Sequence, residues 1–431
     1  MKSFLQRVLA VLARATLRRH HPVVVGITGS VGKTSTKEAA FAVLATRYRA
    51  RRSEKNYNTE IGVPLTILGI RHQGANPIGW GLAVAFAVWR LLRPARRYPE
   101  ALILEMGADR SGDIAYLAGL VRPSVGVITA IGDVPVHVEF FRGPRELALE
   151  KSKLIEALPP DGRAVLNADD PVVAALATRT RGRVITFGFG EGSSLRVTEY
   201  HLDAVPGASP TGIRFVLSHR GRAAEVRLAD AFGRQQAYAA AAAVGVGIAF
   251  GMKLEEAAGA LAAYRAPPGR LKLIPGLRGS LLLDDTYNAS PAATAAALDV
   301  LAEFPAGRRI AVLGDMLELG AWSEAAHRAV GRRVAAVADV FIATGPRMAL
   351  ALGEAGKALG RPGRPRIALQ AVPDAYAAGR RLAELLRPGD VALLKGSQGM
   401  RMERAVEAAM AEPQRAPELL VRQTVDWKQR P

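Results

Sequence analysis

The chain has 431 residues, enough for roughly two or three domains with hydrophobic cores of their own. Hydrophobic residues make up 49% of it and charged residues 23%, a globular composition that excludes a disordered or fibrous protein. Because there is no cysteine, disulfide scaffolds, zinc sites with cysteine ligands, iron–sulfur clusters and thiol nucleophiles are excluded as well. The formal net charge of +19 predicts an anionic partner such as nucleic acid, acidic lipid or a phosphorylated substrate.

The first segment of the chain is both basic and amphipathic. Apolar residues recur at helical spacing from Phe4 to Leu17. Arg7 and Arg14 interrupt the apolar run, which excludes a secretory signal peptide. Two interpretations of residues 1–22 stay open: a helix that caps the following domain, and a basic helix that lies on anionic lipid.

Residues 78–92 form a second apolar stretch. Its uncharged core of about a dozen residues is shorter than the roughly 20 that span a bilayer. One interpretation is a buried helix. The other is an interfacial helix, because the stretch contains two tryptophans and is followed by Arg93, Arg96 and Arg97. We expect residues 72–99 to be an insert, and peripheral contact with anionic membrane stays open.

A strand, a glycine-rich loop and a helix follow the first segment. Residues 23–27 (VVVGI) predict a buried strand, residues 28–36 (TGSVGKTST) a loop, and Lys37 the first part of a helix. This order is typical of the phosphate-binding P-loop. The loop residues expected to bind a nucleotide are Thr28, Gly29, Ser30, Val31, Gly32, Lys33, Thr34 and Ser35.

Individual loop residues suit particular contacts with phosphate. Gly29 and Gly32 allow backbone N–H groups to close around it. Lys33 supplies a positive charge, and Thr34 offers a hydroxyl to Mg²⁺. Ile27 stands where the usual P-loop pattern has its first glycine, so the pattern is not the most common one.

A carboxylate ends another apolar run. Residues 101–105 (ALILE) predict a buried strand that ends in Glu105. Since a buried carboxylate is unfavourable unless it meets a cation, Glu105 is a candidate to bind metal or orient water, with a helix cap as the alternative. Residues 125–132 predict the next strand, and His137 lies just past its end, where a structural and a functional role are equally open.

Six segments then occur in a fixed order along the chain. They are TGSVGKTS (28–35), NYNTEIGVPLTIL (56–68), LEMGADRSGDIAYL (104–117), DDTYNASPAA (284–293), AVLGDMLELG (311–320) and LLKGSQGMRMER (393–404). The set resembles the Mur ligases of peptidoglycan synthesis over roughly residues 22–408, and most closely the branch that adds D-alanyl-D-alanine. A P-loop without its first glycine is the form found in that family.

The resemblance implies an ATP-dependent ligase. Such an enzyme joins D-Ala-D-Ala to a UDP-MurNAc-tripeptide-like carboxylate through an acyl phosphate, and it produces ADP and phosphate. The implied cofactors are ATP and Mg²⁺, and we expect a cytoplasmic monomer, with the inner face of the membrane left open as its position. Nucleic acid is not expected as a partner, because no motif that reads DNA or RNA accompanies the positive charge.

Two alternatives to this activity stay open. One is a Mur-type ligase that acts on a different substrate, either lipid-linked or outside murein. The other is a non-catalytic, nucleotide-responsive scaffold at the membrane.

The resemblance also implies roles for individual residues. Thr34, Glu105 and His137 are expected as Mg²⁺ ligands, and Lys151 corresponds to a lysine that this family carbamylates, which would make it a fourth. An exposed helix lysine is the alternative for Lys151. The residues expected to act in catalysis are Lys33, Glu105, His137 and Lys151.

Further residues are expected at the nucleotide and the substrates. Arg270, Asp285 and Asn288 are expected to contact the nucleotide. The residues expected at the substrates are Asn58, Thr59, Tyr287, Asn288, Lys395, Gly396 and Ser397. A turn at the end of a strand is the alternative for Asp284 and Asp285.

The predicted fold is α/β. A P-loop ATPase central domain with a mostly parallel sheet covers residues 23–266, and a Rossmann-like doubly wound domain covers residues 267–411. The turn cluster at Ala266 to Gly269 separates them as a hinge. Residues 412–431 are expected to be a mobile tail. The predicted strands of the second domain are 281–285, 309–314, 339–344 and 391–395.

The sequence also departs from the family. The 22 residues before the first strand are too few for the UDP-binding N-terminal domain that these ligases usually carry, so we expect that domain to be lacking. Gln235, Gln236 and Ala239 stand where the family tends to have His and Asn. A sugar-peptide substrate would therefore be held differently.

Overall fold

The computed structural model of the chain describes residues 2–54, 57–92, 98–204, 208–357 and 367–429. Arg93, Arg96 and Arg97 and the last two residues of the predicted tail lie outside these ranges. Two β-sheets with helices packed against them account for most of the described chain, as an α/β fold requires.

The first domain contains nine strands and nine helices. The strands are β1 (Val23–Thr28), β2 (Ala50–Arg52), β3 (Ala101–Glu105), β4 (Val125–Ile128), β5 (Arg163–Asn167), β6 (Arg183–Gly188), β7 (Leu195–Asp203), β8 (Gly212–His219) and β9 (Arg222–Ala229). The helices are α1 (Lys2–His20), α2 (Lys33–Leu44), α3 (Gly62–Leu68), α4 (Pro77–Leu92), α5 (Asp113–Val121), α6 (Pro144–Glu156), α7 (Pro171–Ala175), α8 (Arg234–Ala249) and α9 (Leu254–Ala260). These counts refer to the residues described.

The second domain is smaller. Its strands are β10 (Lys272–Pro275), β11 (Leu281–Asp285), β12 (Arg309–Gly314), β13 (Val340–Thr344), β14 (Ala368–Val372) and β15 (Val391–Lys395). Its helices are α10 (Pro291–Glu303), α11 (Ser323–Val337), α12 (Met348–Gly356), α13 (Ala375–Leu385), α14 (Glu403–Ala409), α15 (Ala416–Leu419) and α16 (Val425–Lys428).

The nine-stranded sheet has the order β2-β3-β1-β4-β5-β6-β7-β8-β9. The first six strands in this order, from β2 to β6 and including β1, pair in parallel, and β7 joins them through a short parallel contact with β6. β8 and β9 then continue the sheet in antiparallel pairing. The mostly parallel sheet is confirmed, whereas the antiparallel extension was not predicted. Its strands alternate buried and exposed positions, as expected where one sheet face is solvated.

The six-stranded sheet has the order β10-β11-β15-β12-β13-β14. All its pairings are parallel except that of β10 with β11, which confirms a doubly wound second domain. The predicted strands at 281–285, 309–314 and 391–395 have the bounds expected, and the one predicted to start at 339 starts at Val340. β10 and β14 were missed. β14 is only partly buried, so it lacks the continuous apolar run of an interior strand.

Two boundaries in the P-loop region differ from the predictions. Helix α2 begins at Lys33 rather than Lys37, because Gly32 takes a φ of 90° and turns the chain directly into the helix. β4 ends at Ile128 rather than at residue 132, and the residues after it form a loop beside the P-loop.

The predicted boundary between residues 266 and 267 falls in the connection between the two sheets. Across it, the rings of Phe232 and Phe304 pack edge to face with centroids 5.2 Å apart. The tail differs from the prediction. Ala416 and Leu420 are buried in the core of the second domain, and Arg422 donates to the carbonyl of Thr286 at 3.1 Å, so the described tail is packed rather than mobile.

The two basic apolar segments behave differently. Leu9 and Ala13 of α1 are fully buried, as expected of a helix that caps a domain. Within α4 the buried residues are Ala83 and Ala87, while Ile78 and Leu92 are both 75% exposed, so the prediction of a buried helix is wrong. No helix in the described ranges is both long and apolar enough to cross a membrane.

Candidate active site between the two domains

The P-loop and Glu105 meet because their strands are parallel neighbours. Ile27 of β1 lies opposite Glu105 of β3, so both chains leave the sheet at the same edge. The carboxyl ends of parallel strands are where α/β proteins build ligand sites. The hydroxyl of Thr28 donates to the carbonyl of Met106 at 3.0 Å and ties the two strand ends together.

The loop itself is held in one conformation by the segment that follows β4. Gly29 has a φ of 145°, and a Cβ there would lie 2.0 Å from the hydroxyl of Thr129. The N–H groups of Ser30 and Val31 donate to the carbonyl of Ala130 at 2.6 and 3.1 Å. The N–H groups in the first turn of α2 have no helical acceptor and are available to phosphate.

Two lysines share one neutral acceptor beneath the loop. Lys33 Nζ donates to the carbonyl of Gly29 at 2.8 Å, and Lys151 Nζ donates to the same oxygen at 3.1 Å. Burial lowers the pKa of Lys33, an effect that the carboxylate of Glu105 opposes. Burial, and then the charge of Lys33, hold the pKa of Lys151 well below its ordinary value. Lys151 is 2% exposed, so an exposed helix lysine is excluded.

Glu105 is 3% exposed and meets polar groups from both sides. Its Oε2 accepts from the hydroxyl of Thr34, and its Oε1 accepts from the amide of Asn58, each at 3.2 Å. Lys37 Nζ lies 3.9 Å from Oε2. The carboxylate thus points into the P-loop site and is not engaged as a helix cap.

His137 links the two domains. Its Nδ1 lies 2.6 Å from the Glu318 carboxylate of the second domain, and its Nε2 lies 3.9 Å from that of Asp109. The hydrogen bond with His137 lowers the pKa of Glu318. In the described part of the chain, no three His, Asp or Glu side chains come together as a metal site. The four predicted metal ligands therefore stay a prediction.

Arg270 faces the P-loop from the start of the second domain. Its guanidinium lies 4.0 Å from the ring centroid of Tyr287, a cation–π contact. The Arg270 charge also helps to lower the pKa of Lys33, which indicates that the two cations are close. Arg270 Nε is buried and has no hydrogen-bond partner among the described residues.

Asp284 and Asp285 have different environments. Asp284 forms the turn at the end of β11: its Oδ1 accepts from the hydroxyl and the N–H of Thr286 at 2.6 and 3.1 Å. Burial raises the pKa of Asp284 to about 6. Asp285 instead forms an ion pair with Lys395 at 2.6 Å. Lys395 also donates to the carbonyl of Asn288 at 2.8 Å, and burial lowers its pKa against the effect of Asp285.

Several predicted substrate residues make structural contacts. The hydroxyl of Thr59 accepts from the N–H of Gly62 at 3.4 Å at the start of α3. The hydroxyl of Ser397 accepts from the N–H of Leu317 at 2.8 Å and joins two strand-end loops. Gly396 packs so closely that a Cβ would lie 2.6 Å from a Met402 carbon. The side-chain oxygen of Asn288 accepts from the N–H groups of Ala289 and Gln398.

Comparison with known proteins relates this arrangement to one family. Residues 85–247 match the Mur ligase middle domain, and residues 269–398 match the glutamate ligase domain of Mur ligases. The UDP-N-acetylmuramoyl-tripeptide–D-alanyl-D-alanine ligase of Mycobacterium tuberculosis is 35% identical over 423 residues, with 94% of this chain and 76% of that protein covered. The chain is a Mur ligase.

Solved structures of Mur ligases resemble the fold of this chain. MurF from Thermotoga maritima, in complex with ADP, aligns with a TM-score of 0.76 and 29% identity over 94% of this chain and 83% of that one. MurF from Acinetobacter baumannii aligns with the same TM-score and 27% identity, covering 93% and 79%. The ligase of Bacillus subtilis with the same name as the mycobacterial one is 29% identical, over 93% of this chain and 79% of its own.

The sequence missed three contributors to the site of this Mur ligase. Lys37 follows Lys33 by four residues on α2 and so reaches Glu105 from the same helix face, a spacing that was visible in the sequence. Glu318, the partner of His137, had no signal, because it lies in another domain. Gln236 was noted only as a departure from the family: its side chain accepts from the Tyr264 hydroxyl at 2.7 Å and donates to the Arg270 carbonyl at 3.1 Å.

Proposed function

We propose that this Mur ligase joins D-Ala-D-Ala to the free carboxylate of a UDP-MurNAc-tripeptide, with ATP as the source of energy. The observation that carries the proposal is the convergence of Lys33 and Lys151 on the carbonyl of Gly29, next to the Thr34–Glu105 pair. Relatives with this name share about a third of their residues with the chain over most of its length.

The residues of the site fit ATP and Mg²⁺. Within the described ranges, two buried polar atoms of the site, Ser30 Oγ and Arg270 Nε, have no hydrogen-bond partner, as expected where a phosphate supplies the acceptor. Thr34 and Glu105 present the oxygen donors that Mg²⁺ prefers, and we propose His137 and a carbamylated Lys151 as its other contacts. When bound, Mg²⁺ neutralises charge on the transferring phosphoryl group.

The reaction proceeds in two steps. An oxygen of the peptide carboxylate attacks the γ-phosphorus, the bond to ADP breaks, and an acyl phosphate forms. The amine nitrogen of D-Ala-D-Ala then attacks the acyl carbon, phosphate leaves with the bonding electrons, and the nitrogen loses a proton. Lys33 releases Gly29 and turns to the phosphate, where its charge stabilises the transferring group.

Carbamylation of Lys151 is supported by its surroundings. A neutral lysine amine adds CO₂ to form a carbamate and releases one proton. The depressed pKa of Lys151 makes that neutral form accessible, and the new anion relieves the repulsion from Lys33. Carbon-13 NMR after exposure to labelled bicarbonate should show a carbamate signal that is absent from Lys151→Ala. A spectrum without that signal would overturn the modification.

The second domain closes the site. Arg270 is proposed to contact the ATP phosphates, and the His137–Glu318 contact bridges the domains on another side. Closure excludes water from an acyl phosphate that water would hydrolyse. Asp285, Tyr287, Asn288 and the loop from Lys395 to Ser397 remain the proposed nucleotide and acceptor side. Asn58 and Thr59 remain the proposed sugar-peptide side.

We also propose that the enzyme acts as a cytoplasmic monomer, with the predicted domain boundaries at residues 22, 266 and 411.

The deciding assay measures ATP-dependent phosphate release with UDP-MurNAc-tripeptide and D-Ala-D-Ala. Release should require both substrates and Lys33, with the amide product identified by mass spectrometry. Lys153→Ala is the control for the removal of a lysine, because Lys153 pairs with Glu156 at the surface of α6 and does not contact Gly29 in the described structure.

If no phosphate is released with this substrate pair although ATP still binds, the proposed substrates are wrong. That outcome would leave the acyl-phosphate chemistry in place and favour a lipid-linked or non-murein acceptor. Loss of ATP binding as well would favour the non-catalytic alternative.

A further inference from the structure

Helix α4 exposes an apolar face of unusual extent. In the described part of the chain, 15 large hydrophobic side chains are exposed, of which six lie on α4 and two on α1. The α4 set is Ile78, Leu82, Phe86, Val88, Trp89 and Leu92. Most of these residues recur at intervals of three or four, so they form one face of the helix. Contiguous exposed apolar surface of this kind marks an interaction site.

This face belongs to a folded unit. The opposite face of α4 carries Ala83 and Ala87, which pack with Leu9 of α1 and Leu65 of α3 in one buried cluster. The outer faces of α1 and α4 together form what we call the α1–α4 surface. Its exposed residues are Phe4, Arg7, Val11 and Arg14 on α1, and Ile78, Leu82, Phe86, Val88, Trp89 and Leu92 on α4.

The chain segments that form the α1–α4 surface carry charge of a single sign. Neither residues 1–37 nor residues 61–99 contain any aspartate or glutamate. Arg7 and Arg14 are exposed on α1, and Arg90 lies on α4 beside the ring of Phe86, 5.7 Å from its centroid. A second copy of the chain would bring an equally basic face to this one, which disfavours self-association through it.

A basic groove borders the same surface. It lies between α1 and the end of α5, has a volume of about 450 Å³, and is lined by Arg14, Arg18, His21 and Arg122 among others, without any acidic residue. The groove suits a phosphate group, because three arginines are among the residues that line it. Arg14 belongs both to the groove and to the α1–α4 surface.

The dimensions of α4 decide how it can meet lipid. Its 16 residues extend about 24 Å at 1.5 Å per residue, less than the roughly 30 Å of a bilayer core, so the helix can only lie along the interface. Trp89 and Phe86 stack with centroids 5.6 Å apart on its exposed face, and aromatic rings favour the headgroup level.

We propose that the α1–α4 surface docks on a bilayer that contains anionic phospholipid. The apolar face of α4 enters the boundary between headgroups and acyl chains, and the arginines of α1 and of the adjoining groove meet lipid phosphates. The docked enzyme is thereby held at a membrane surface. Docking requires no turnover, so a negative ligase assay leaves this proposal standing.

Vesicle flotation tests the proposal with the full chain. The protein should float with vesicles of equal parts phosphatidylglycerol and phosphatidylcholine, and stay behind with phosphatidylcholine alone. The floated fraction should fall as salt is raised, because salt screens the arginines. Leu82→Glu with Phe86→Glu should reduce the bound fraction more than tenfold. The matched control is Tyr376→Glu with Val425→Glu, which changes two exposed apolar residues of the second domain.

The charge arm uses Arg7→Glu with Arg14→Glu, which should weaken binding at low salt. Its control, Arg214→Glu with Arg220→Glu, makes the same change of net charge at exposed sites on β8 and the turn after it. Equal circular dichroism and melting temperature establish that all variants fold. Flotation that fails with phosphatidylglycerol, or that falls equally in the controls, would overturn the proposal. A wild-type dimer that becomes monomeric in the Leu82→Glu, Phe86→Glu variant would overturn it as well, in favour of a second copy.

Discussion

A pair of lysines in the first domain and one lysine in the second differ in how their charge is compensated. In the first, the partly exposed Lys33 and the buried Lys151 donate to the carbonyl of Gly29, a neutral acceptor that does not compensate their positive charge. In the second, Lys395 meets the carboxylate of Asp285 at 2.6 Å, and its charge is compensated within the fold. Because an uncompensated buried charge is unfavourable, the first arrangement prepares the P-loop for an anion, while the second holds a strand-end loop in place.

This contrast predicts that Lys395 matters first for stability. Lys395→Met leaves Asp285 buried without its partner, so the free energy of unfolding should fall by about 3–5 kcal/mol. Chemical denaturation monitored by circular dichroism measures the change. The double variant Lys395→Met, Asp285→Leu should recover a large part of the loss. Equal instability in the single and double variants would contradict a role for the pair.

Lys33 should show the reverse pattern. Lys33→Ala removes a charge aimed at the phosphate, so phosphate release should fall by about 100-fold, or about 2.7 kcal/mol in the activation barrier. In the chain without carbamylated Lys151, the melting temperature should not fall, because one of two like charges at Gly29 has gone. A folded variant that keeps wild-type turnover would break the comparison between the domains.

Asp284 provides a test through pH. Its pKa is about 6 in the folded chain against an ordinary 3.8, so the folded state binds this proton more tightly than the unfolded state. The native carboxyl therefore adds no penalty below pH about 4, and its ionisation destabilises the fold as pH rises through about 6. Asp284→Asn keeps an acceptor for Thr286 without the charge.

The stability of Asp284→Asn relative to wild type should increase between pH 4 and pH 7 by about 1–3 kcal/mol and then level off. Denaturant midpoints at a series of pH values measure it. A difference independent of pH would show that Asp284 is ionised throughout that range.

The smallest effect is expected at the contact between the domains. Glu318 and His137 are both partly exposed, so Glu318→Gln should change the free energy of unfolding by less than about 1 kcal/mol. If the contact assists closure, KM for ATP should rise while kcat changes little. A loss of kcat as large as that of Lys33→Ala would instead show that Glu318 acts on the reaction itself, through His137, rather than on closure.

Much of the local structure of the candidate site was predictable from the sequence. Patterns within a few residues specify the strand, loop and helix of the P-loop and the strand that ends in Glu105. Gly29 and Lys33 indicate phosphate binding wherever they occur in such a loop between a strand and a helix. The starting position of α2 was predicted less well, because it depends on the backbone of Gly32, and a pattern of side chains does not report a φ angle.

Residues far apart in the chain escaped prediction for a common reason. Asp285 and Lys395 are separated by 110 residues, and nothing within either local segment marks the other as its partner. The same holds for His137 and Glu318 on different domains. The sequence placed Asp285, Lys395 and His137 near the site, but it could not distinguish a residue that awaits a ligand from one already paired, and it did not indicate Glu318.

The sequence by itself determined the α/β class, the P-loop and the order of the ligase motifs, because local periodicity and turn chemistry specify them. Only the tertiary structure decided which charges are compensated and which surfaces are covered. It buried Lys151, packed the tail near Ala416, and left the apolar face of α4 exposed. Burial and pairing are properties of the whole fold, since each depends on what distant segments bring to the same place.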